Sequence, residues 1–161
     1  MEIKKPIKRS AAIVEFSKDH HFALLLVWKI KEGLKRSIDS KRISKYVIHF
    51  FDIDLIHHFA DEEKFLFSKL PSNNPLRIQA EEEHKNIKQM VDELKQNSEN
   101  QDLLKSFAEA LEKHIRFEER ELFNHLQENV SDNVLKEIAS SVKPREHEAD
   151  GSWDDPFWKT A

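Results

Sequence analysis

Residues 50–70 read FFDIDLIHHFADEEKFLFSKL, and this stretch decides the fold. It places His58 and Glu62 four residues apart among leucines and phenylalanines. At 3.6 residues per turn, positions i and i+4 lie on the same face of a helix. Burying an imidazole or a carboxylate as an ion without a partner is costly. The stretch therefore predicts a helix whose core-facing side carries two polar groups that need a common partner.

A second stretch repeats this pattern. Residues 114–126 read HIRFEERELFNHL, with His114 and Glu118 four residues apart and Leu122 and Phe123 after them. Two apolar helices with the same histidine–glutamate spacing would place two half-sites opposite each other. This repetition makes a metal site the leading hypothesis.

The composition is typical of a single all-α domain. The chain has 161 residues, of which 35% are charged, with only 2 glycines and 5 prolines. This length is enough for one sizeable core, and so many charges fit helices with one solvated face. The sequence has no cysteine, which excludes disulfides, thiolate metal sites and a cysteine nucleophile.

Charge and hydropathy exclude two classes of partner. The net charge is −4, and basic residues are interspersed with acidic ones rather than gathered in a patch. We therefore expect no nucleic-acid binding. The apolar run at residues 24–28 is too short to span a bilayer, so we also expect no membrane association and a cytoplasmic protein.

Helical periodicity covers four long segments. Apolar residues recur at spacings of three and four over residues 10–38, 43–70, 76–95 and 102–128, and a shorter fifth helix is expected to end near residue 142. The connections between these segments are only about 4–6 residues long, which predicts an antiparallel up-down-up-down four-helix bundle. We expect a lead-in at 1–9, the bundle at 10–142, and an acidic, aromatic tail at 143–161 that folds back through its large aromatic residues.

Each long helix carries one histidine in phase with its apolar residues: His20, His58, His84 and His114. Glu62 and Glu118 add two carboxylates, and such a ligand set suits iron, manganese or zinc. Carboxylates can bridge two metal ions, so the simplest arrangement places both glutamates between two ions. His21 is the alternative to His20, which lies on the longer apolar stripe.

The order of these motifs resembles a known family. The segments are Asp19-His20-His21, His58-Phe59-Ala60-Asp61-Glu62-Glu63, Glu83-His84 and His114-Ile115-Arg116-Phe117-Glu118-Glu119. Over about residues 10–128 the chain resembles hemerythrin-like proteins, also called HHE cation-binding domains. The resemblance implies a four-helix bundle with a non-haem di-iron centre. Such centres serve in O₂ transport or storage, in sensing, or under iron and nitric-oxide stress.

The chain departs from the oxygen-carrying members at two positions. Ala80 stands where those members have a further histidine on the third helix. One metal ion would therefore have an open coordination position, which Glu81 or water would fill. Those members also take their last carboxylate five residues after the histidine, where Glu119 stands. We favour Glu118, because a regular helix turns position i+5 away.

These residues lead to one functional expectation and one alternative. We expect two iron ions, or zinc or manganese in their place, that bind O₂ or another small diatomic. We favour a binding function over an oxidase-like activity. A homodimer or a protein partner is compatible with the sequence. The alternative is a structural or zinc-binding helical interaction module without redox chemistry. A ferritin-like site is excluded, because it needs Glu-x-x-His on two helices and only Glu81 and His84 fit.

Overall fold

The computed structural model describes residues 8–144, 147, 149, 151 and 153–159. Within these residues the chain forms five helices and no β-strand. Helix α1 spans Ala11–Lys35, helix α3 spans Pro75–Gln96 and helix α5 spans Asp132–Ser141. Helix α2 covers residues 40–69 and helix α4 covers residues 101–129, each in several segments. None of these helices is both long and apolar enough to cross a membrane.

Helices α2 and α4 are not regular along their length. Helix α2 consists of α-helical Ser40–Phe50, π-helical Phe51–Leu55, α-helical Ile56–Asp61, π-helical Glu62–Leu66 and a final 3₁₀ turn, Phe67–Lys69. Helix α4 consists of α-helical Gln101–Phe117, π-helical Glu118–Leu122 and α-helical Phe123–Asn129. A π segment thus begins at Glu62 and another at Glu118. Single π turns inside α-helices occur frequently at functional sites.

Side-chain caps fix where several helices begin. The Asp39 side chain accepts a hydrogen bond from the Lys41 backbone N–H, so α2 begins three residues before the expected residue 43. Asn74 and Asn100 cap α3 and α4 in the same way. Pro75 occupies the first turn of α3, where its missing N–H costs nothing.

The core has two parts that meet at the middle of the helices. One part joins the second half of α1 and of α3 to the first half of α2 and of α4, with Leu26, Tyr46, Val91 and Phe107 among its members. The other joins the opposite halves and α5. The histidines and glutamates singled out in the sequence lie between these two apolar parts.

The described residues of the C-terminal tail pack on α1 and α2. The ring of Tyr46 has Trp153, Phe157 and Trp158 as neighbours, with ring centroids 5.5, 5.9 and 4.7 Å away. A Cβ at Gly33 would lie 2.9 Å from the Phe157 ring, so a glycine on α1 makes room for the tail. The tail therefore folds back onto the helices as its aromatic content predicts.

Candidate metal centre

The structure brings the six predicted site residues together in the interior. We call them the inner cluster: His20, His58, Glu62, His84, His114 and Glu118. Each of these residues is at most 4% exposed. Their helical spacing explains this burial, because each lies in phase with the apolar residues that form the core on either side.

The two glutamates contact histidines from both sides of the cluster. Glu62 Oε1 lies 3.1 Å from Nε2 of His58 and 3.1 Å from Nε2 of His84. The other Glu62 oxygen is 3.6 Å from Nε2 of His20. Glu118 Oε1 lies 3.1 Å from Nε2 of His20 and 3.0 Å from Nε2 of His114. All four imidazoles therefore turn the same nitrogen towards the carboxylates.

The inner cluster divides into two groups of four residues, and each group could bind one metal ion. In each group the ligand atoms all lie within 4.8 Å of one another. One group contains His20 and His58, the other contains His84 and His114, and both contain Glu62 and Glu118. Two imidazoles with two shared carboxylates form a donor set suited to a pair of cations.

Several atoms of the inner cluster lack a hydrogen-bond partner among the described residues. They are Nε2 of His58 and of His114, and Oε2 of Glu62 and of Glu118. The short approaches of the two histidine nitrogens to glutamate oxygens do not have hydrogen-bond geometry. Leaving buried polar atoms without partners costs free energy, and native proteins rarely do so. Cations between these atoms would satisfy them, so the residues present fit a metal centre.

A second layer of carboxylates holds the histidines from outside. We call them the outer carboxylates: Asp19, Glu63, Glu83 and Glu119. Each approaches Nδ1 of a histidine on a different helix. Asp19 lies 2.9 Å from His58, Glu63 3.4 Å from His84, Glu83 2.8 Å from His114 and Glu119 2.9 Å from His20. The contacts run from α1 to α2, α3, α4 and back to α1.

These outer contacts decide which ring nitrogen carries a proton. A carboxylate only accepts hydrogen bonds, so each histidine must donate from Nδ1. In a neutral imidazole this leaves the lone pair on Nε2, which faces the glutamates of the inner cluster. Hydrogen bonds of this kind orient metal-binding histidines and raise their basicity.

The carboxylates also control the charge of the metal-free cluster. Burial acts to lower the pKa of His58, but the negative charge of Glu62 close by and the hydrogen bond to Asp19 outweigh it and raise that pKa to about 9. The pKa of His114 rises to about 10, because Glu118 and Glu83 outweigh its burial in the same way. Burial acts to raise the pKa of Glu62, yet the surrounding histidines hold it well below its usual value. Without metal, His58 and His114 therefore keep their protons to higher pH than ordinary histidines.

Phenylalanine rings enclose the cluster. The Phe59 ring stacks on His84 with centroids 3.9 Å apart, and the Phe123 ring stacks on His20 at 5.3 Å. Both phenylalanines are buried. They fix the planes of two imidazoles and replace water around them with an apolar wall.

The structure separates the alternatives that the sequence left open. His21 is exposed, whereas His20 lies in the cluster. Glu118 faces inward and Glu119 is an outer carboxylate. Glu81 pairs with Arg77 at 3.3 Å and is not part of the cluster.

The outer carboxylates were not predicted. Three of them belong to acidic runs, which are usually solvated faces of helices. One feature of the sequence could have indicated them, because each outer carboxylate is the immediate sequence neighbour of a residue of the inner cluster. That signal does not reveal the pairing, since each carboxylate contacts the histidine of another helix.

The comparisons with known proteins agree with this geometry. The family model described as Hemerythrin HHE cation binding domain matches residues 12–126. This match contains the whole inner cluster and all four outer carboxylates. Neither the comparison with curated proteins nor the comparison with solved structures gave a match.

Proposed function

The chain belongs to the hemerythrin HHE cation-binding domain family, and from this premise we propose that the inner cluster binds two iron ions and through them O₂ or a related small diatomic. The proposed ligands are the six residues of the inner cluster. An up-down-up-down course of the four long helices is part of the proposal, and the pairing of opposite helix halves in the two core parts supports it.

The sharing of Glu62 and Glu118 between both four-residue groups is the observation that carries the proposal. A single four-coordinate structural zinc ion would use four of the six residues and leave two buried without purpose. A pair of ions uses all six. Two carboxylates supply about two negative charges against two cations, so hydroxide or another small anion is expected to complete the balance.

The open coordination of each ion supports a small exogenous ligand. Each group offers four protein residues, and iron commonly takes up to six ligands. Ala80 replaces the further histidine of oxygen carriers, and Glu81 turns away towards Arg77. Positions therefore stay available for water or a diatomic molecule. We propose sensing, storage or iron handling rather than bulk O₂ carriage.

The protein's own part in this chemistry is positioning and enclosure. The outer carboxylates hold each histidine with Nε2 inward, and Phe59 and Phe123 keep bulk water from the cluster. Bound iron would supply electrons to the diatomic ligand. The side chains of the inner cluster would hold the two ions, and the phenylalanine rings would limit the space around them.

A spectroscopic experiment tests this function. The protein is loaded with Fe(II) without oxygen, freed of excess metal, and its visible spectrum is recorded before and after air is admitted, with iron counted per chain. We expect about two irons and new absorption bands after exposure. Reversal of the bands on deoxygenation favours carriage or sensing, and persistence favours oxidative chemistry. One bound ion without a spectral response would support the structural-metal alternative and contradict the proposal.

A further inference from the structure

His147, in the C-terminal tail, reaches the outer layer of the metal centre. Its Nε2 lies 3.0 Å from Oδ1 of Asp19. The other oxygen of Asp19 accepts a hydrogen bond of 2.9 Å from Nδ1 of His58. One carboxylate thus joins a tail residue to a residue of the inner cluster. Because a carboxylate only accepts, His58 donates to it, and Nε2 of His147 lies within ion-pair distance of the other oxygen.

The imidazole of His147 packs against helix α1. Its ring stacks on Phe22 with centroids 3.7 Å apart and an interplanar angle of 18°. A cavity of only about 10 Å³ is lined by Asp19, Asp54, His58 and His147 together with three apolar residues. This volume is close to that of a single water probe. Asp19 therefore has little room to take another orientation while His147 is in place.

Asp19 is held differently from the other outer carboxylates. Its side chain is 14% exposed, compared with 36% for Glu63, 30% for Glu83 and 31% for Glu119. Glu83 is bound by Gln79 of its own helix, and Glu119 by Ser17 of α1. The partner of Asp19 comes from beyond the last helix. The tail therefore supports one half of the inner cluster in particular.

Other contacts fix the tail on α2. The Ala149 carbonyl oxygen lies 3.1 Å from Nε2 of His49, and the Ala149 backbone N–H donates to Asp54 at 3.4 Å. Further along, Arg42 makes two hydrogen bonds with Asp155 at 2.9 and 2.7 Å. These contacts lie outside the inner cluster, so they anchor the tail without forming part of the candidate metal centre.

We propose that His147 is a positioning residue, which fixes Asp19 against His58 and thereby strengthens the binding of the ion shared by His20 and His58. This inference rests on the proposed function. The expected consequence is an unequal pair of metal positions. The affinity at the His58 side depends on the tail, and the affinity at the His84 side does not.

Cobalt(II) titration against a chromogenic chelator tests the inference with paired variants. His84→Ala removes a ligand of one group, so the ion that remains reports on the His58 side. His58→Ala leaves the other side to report. Adding His147→Ala should weaken cobalt binding about tenfold or more in the first background and leave it unchanged in the second. His147→Gln offers an amide N–H to Asp19 and should restore most of the affinity.

Two controls separate positioning from general loosening of the tail. Arg42→Ala breaks the distant anchor to Asp155 and should not change cobalt affinity at either side. His125→Ala removes a histidine that bonds Asn74 and Asn129 instead of the cluster, so it too should leave the cobalt affinity at both sides unchanged. Equal losses in Arg42→Ala and His147→Ala, or equal losses at both metal positions, would overturn the proposal.

A metal-free measurement keeps this inference distinct from the proposed function. In ¹⁵N-histidine NMR spectra of the metal-free protein, the His58 Nδ1–H bonded to Asp19 should be protected from solvent exchange. His147→Ala should abolish that protection and His147→Gln should retain it. If the wild type binds no metal pair but shows this pattern, the proposed function fails and the positioning role stands. An unchanged His58 signal in His147→Ala would overturn the positioning role.

Discussion

Glu118 Oε1 lies 3.1 Å from Nε2 of His20, although the two residues are 98 positions apart in the chain. The contact joins helix α4 to helix α1. It also connects the two groups of the inner cluster, because the same Glu118 oxygen lies 3.0 Å from Nε2 of His114. A carboxylate placed between two imidazoles from different groups is what a bridging ligand requires. The following predictions test that arrangement.

Loss of a shared carboxylate should affect both metal positions. Glu62→Ala removes a ligand from both groups, so we expect the metal content to fall from about two ions per chain to near zero. His114→Ala removes a ligand from one group only, and about one ion should remain. Metal analysis after desalting measures both values. Circular dichroism should show that both variants keep their helical content.

Glu82→Ala is the matched control for the loss of a carboxylate. Glu82 is exposed and belongs to neither layer of the centre. Its metal content should equal that of the wild type. The bridging assignment fails if Glu62→Ala and His114→Ala retain the same number of ions.

Neighbouring glutamates on α4 should behave differently. Glu118→Ala removes a proposed ligand of both ions and should abolish metal binding. Glu119→Ala removes no proposed ligand but takes away the hydrogen-bond partner of His20, so we expect the affinity to fall about 10- to 100-fold with the stoichiometry unchanged. Isothermal titration with a divalent probe distinguishes these outcomes. The reverse order of effects would assign Glu119 as the ligand.

The metal-free protein should lose stability as the pH rises above neutrality. The folded-state pKa values of His58 and His114 lie at about 9 and about 10, above the ordinary value of 6.5. Their contribution is complete below pH 6.5 and is lost as the pH rises through the folded-state values. Glu62 contributes above its ordinary value of 4.5, and this contribution is lost in acid. Urea unfolding should therefore show maximal stability between these two ordinary values.

Metal affinity should change in the opposite direction over the same range. Metal ions must displace protons from the histidines, so binding should strengthen from about pH 6 to about pH 9 and release protons. Chelator competition at several pH values measures this trend. A metal affinity independent of pH would contradict coordination by these histidines.

A core substitution away from the centre should reduce stability without affecting metal stoichiometry. Phe107 is fully buried in the core part formed by the first half of α4. Phe107→Ala should cost about 3–5 kcal/mol of unfolding free energy. Trp28 is 48% exposed, and Trp28→Ala should change stability by at most about 0.5 kcal/mol. Chemical denaturation of the metal-free variants provides the comparison.

The helices and the inner cluster were accessible from sequence, because both follow from helical periodicity. A histidine such as His84 interrupts an apolar stripe, and its spacing alone predicts that it faces the core. The family resemblance was confirmed by the match to residues 12–126. The all-helical fold was also confirmed, since the described residues form helices without strands.

Other features depend on contacts between helices and could not be derived from periodicity. The bond from His58 to Asp19 joins α2 to α1, and spacing within one helix does not determine such a pairing. The π segments that begin at Glu62 and Glu118 also lack a sequence signature in this chain. The contact of His147 with Asp19 requires knowing where the tail returns to the helices.

Mössbauer spectroscopy of protein loaded with ⁵⁷Fe is the most direct test of a shared two-iron centre. The sample is oxidised in air after anaerobic loading, and its iron content is measured in the same preparation. Our account predicts two irons per chain that are magnetically coupled to a diamagnetic ground state, as expected for ions joined by shared ligands. A single uncoupled high-spin iron per chain would contradict bridging by Glu62 and Glu118.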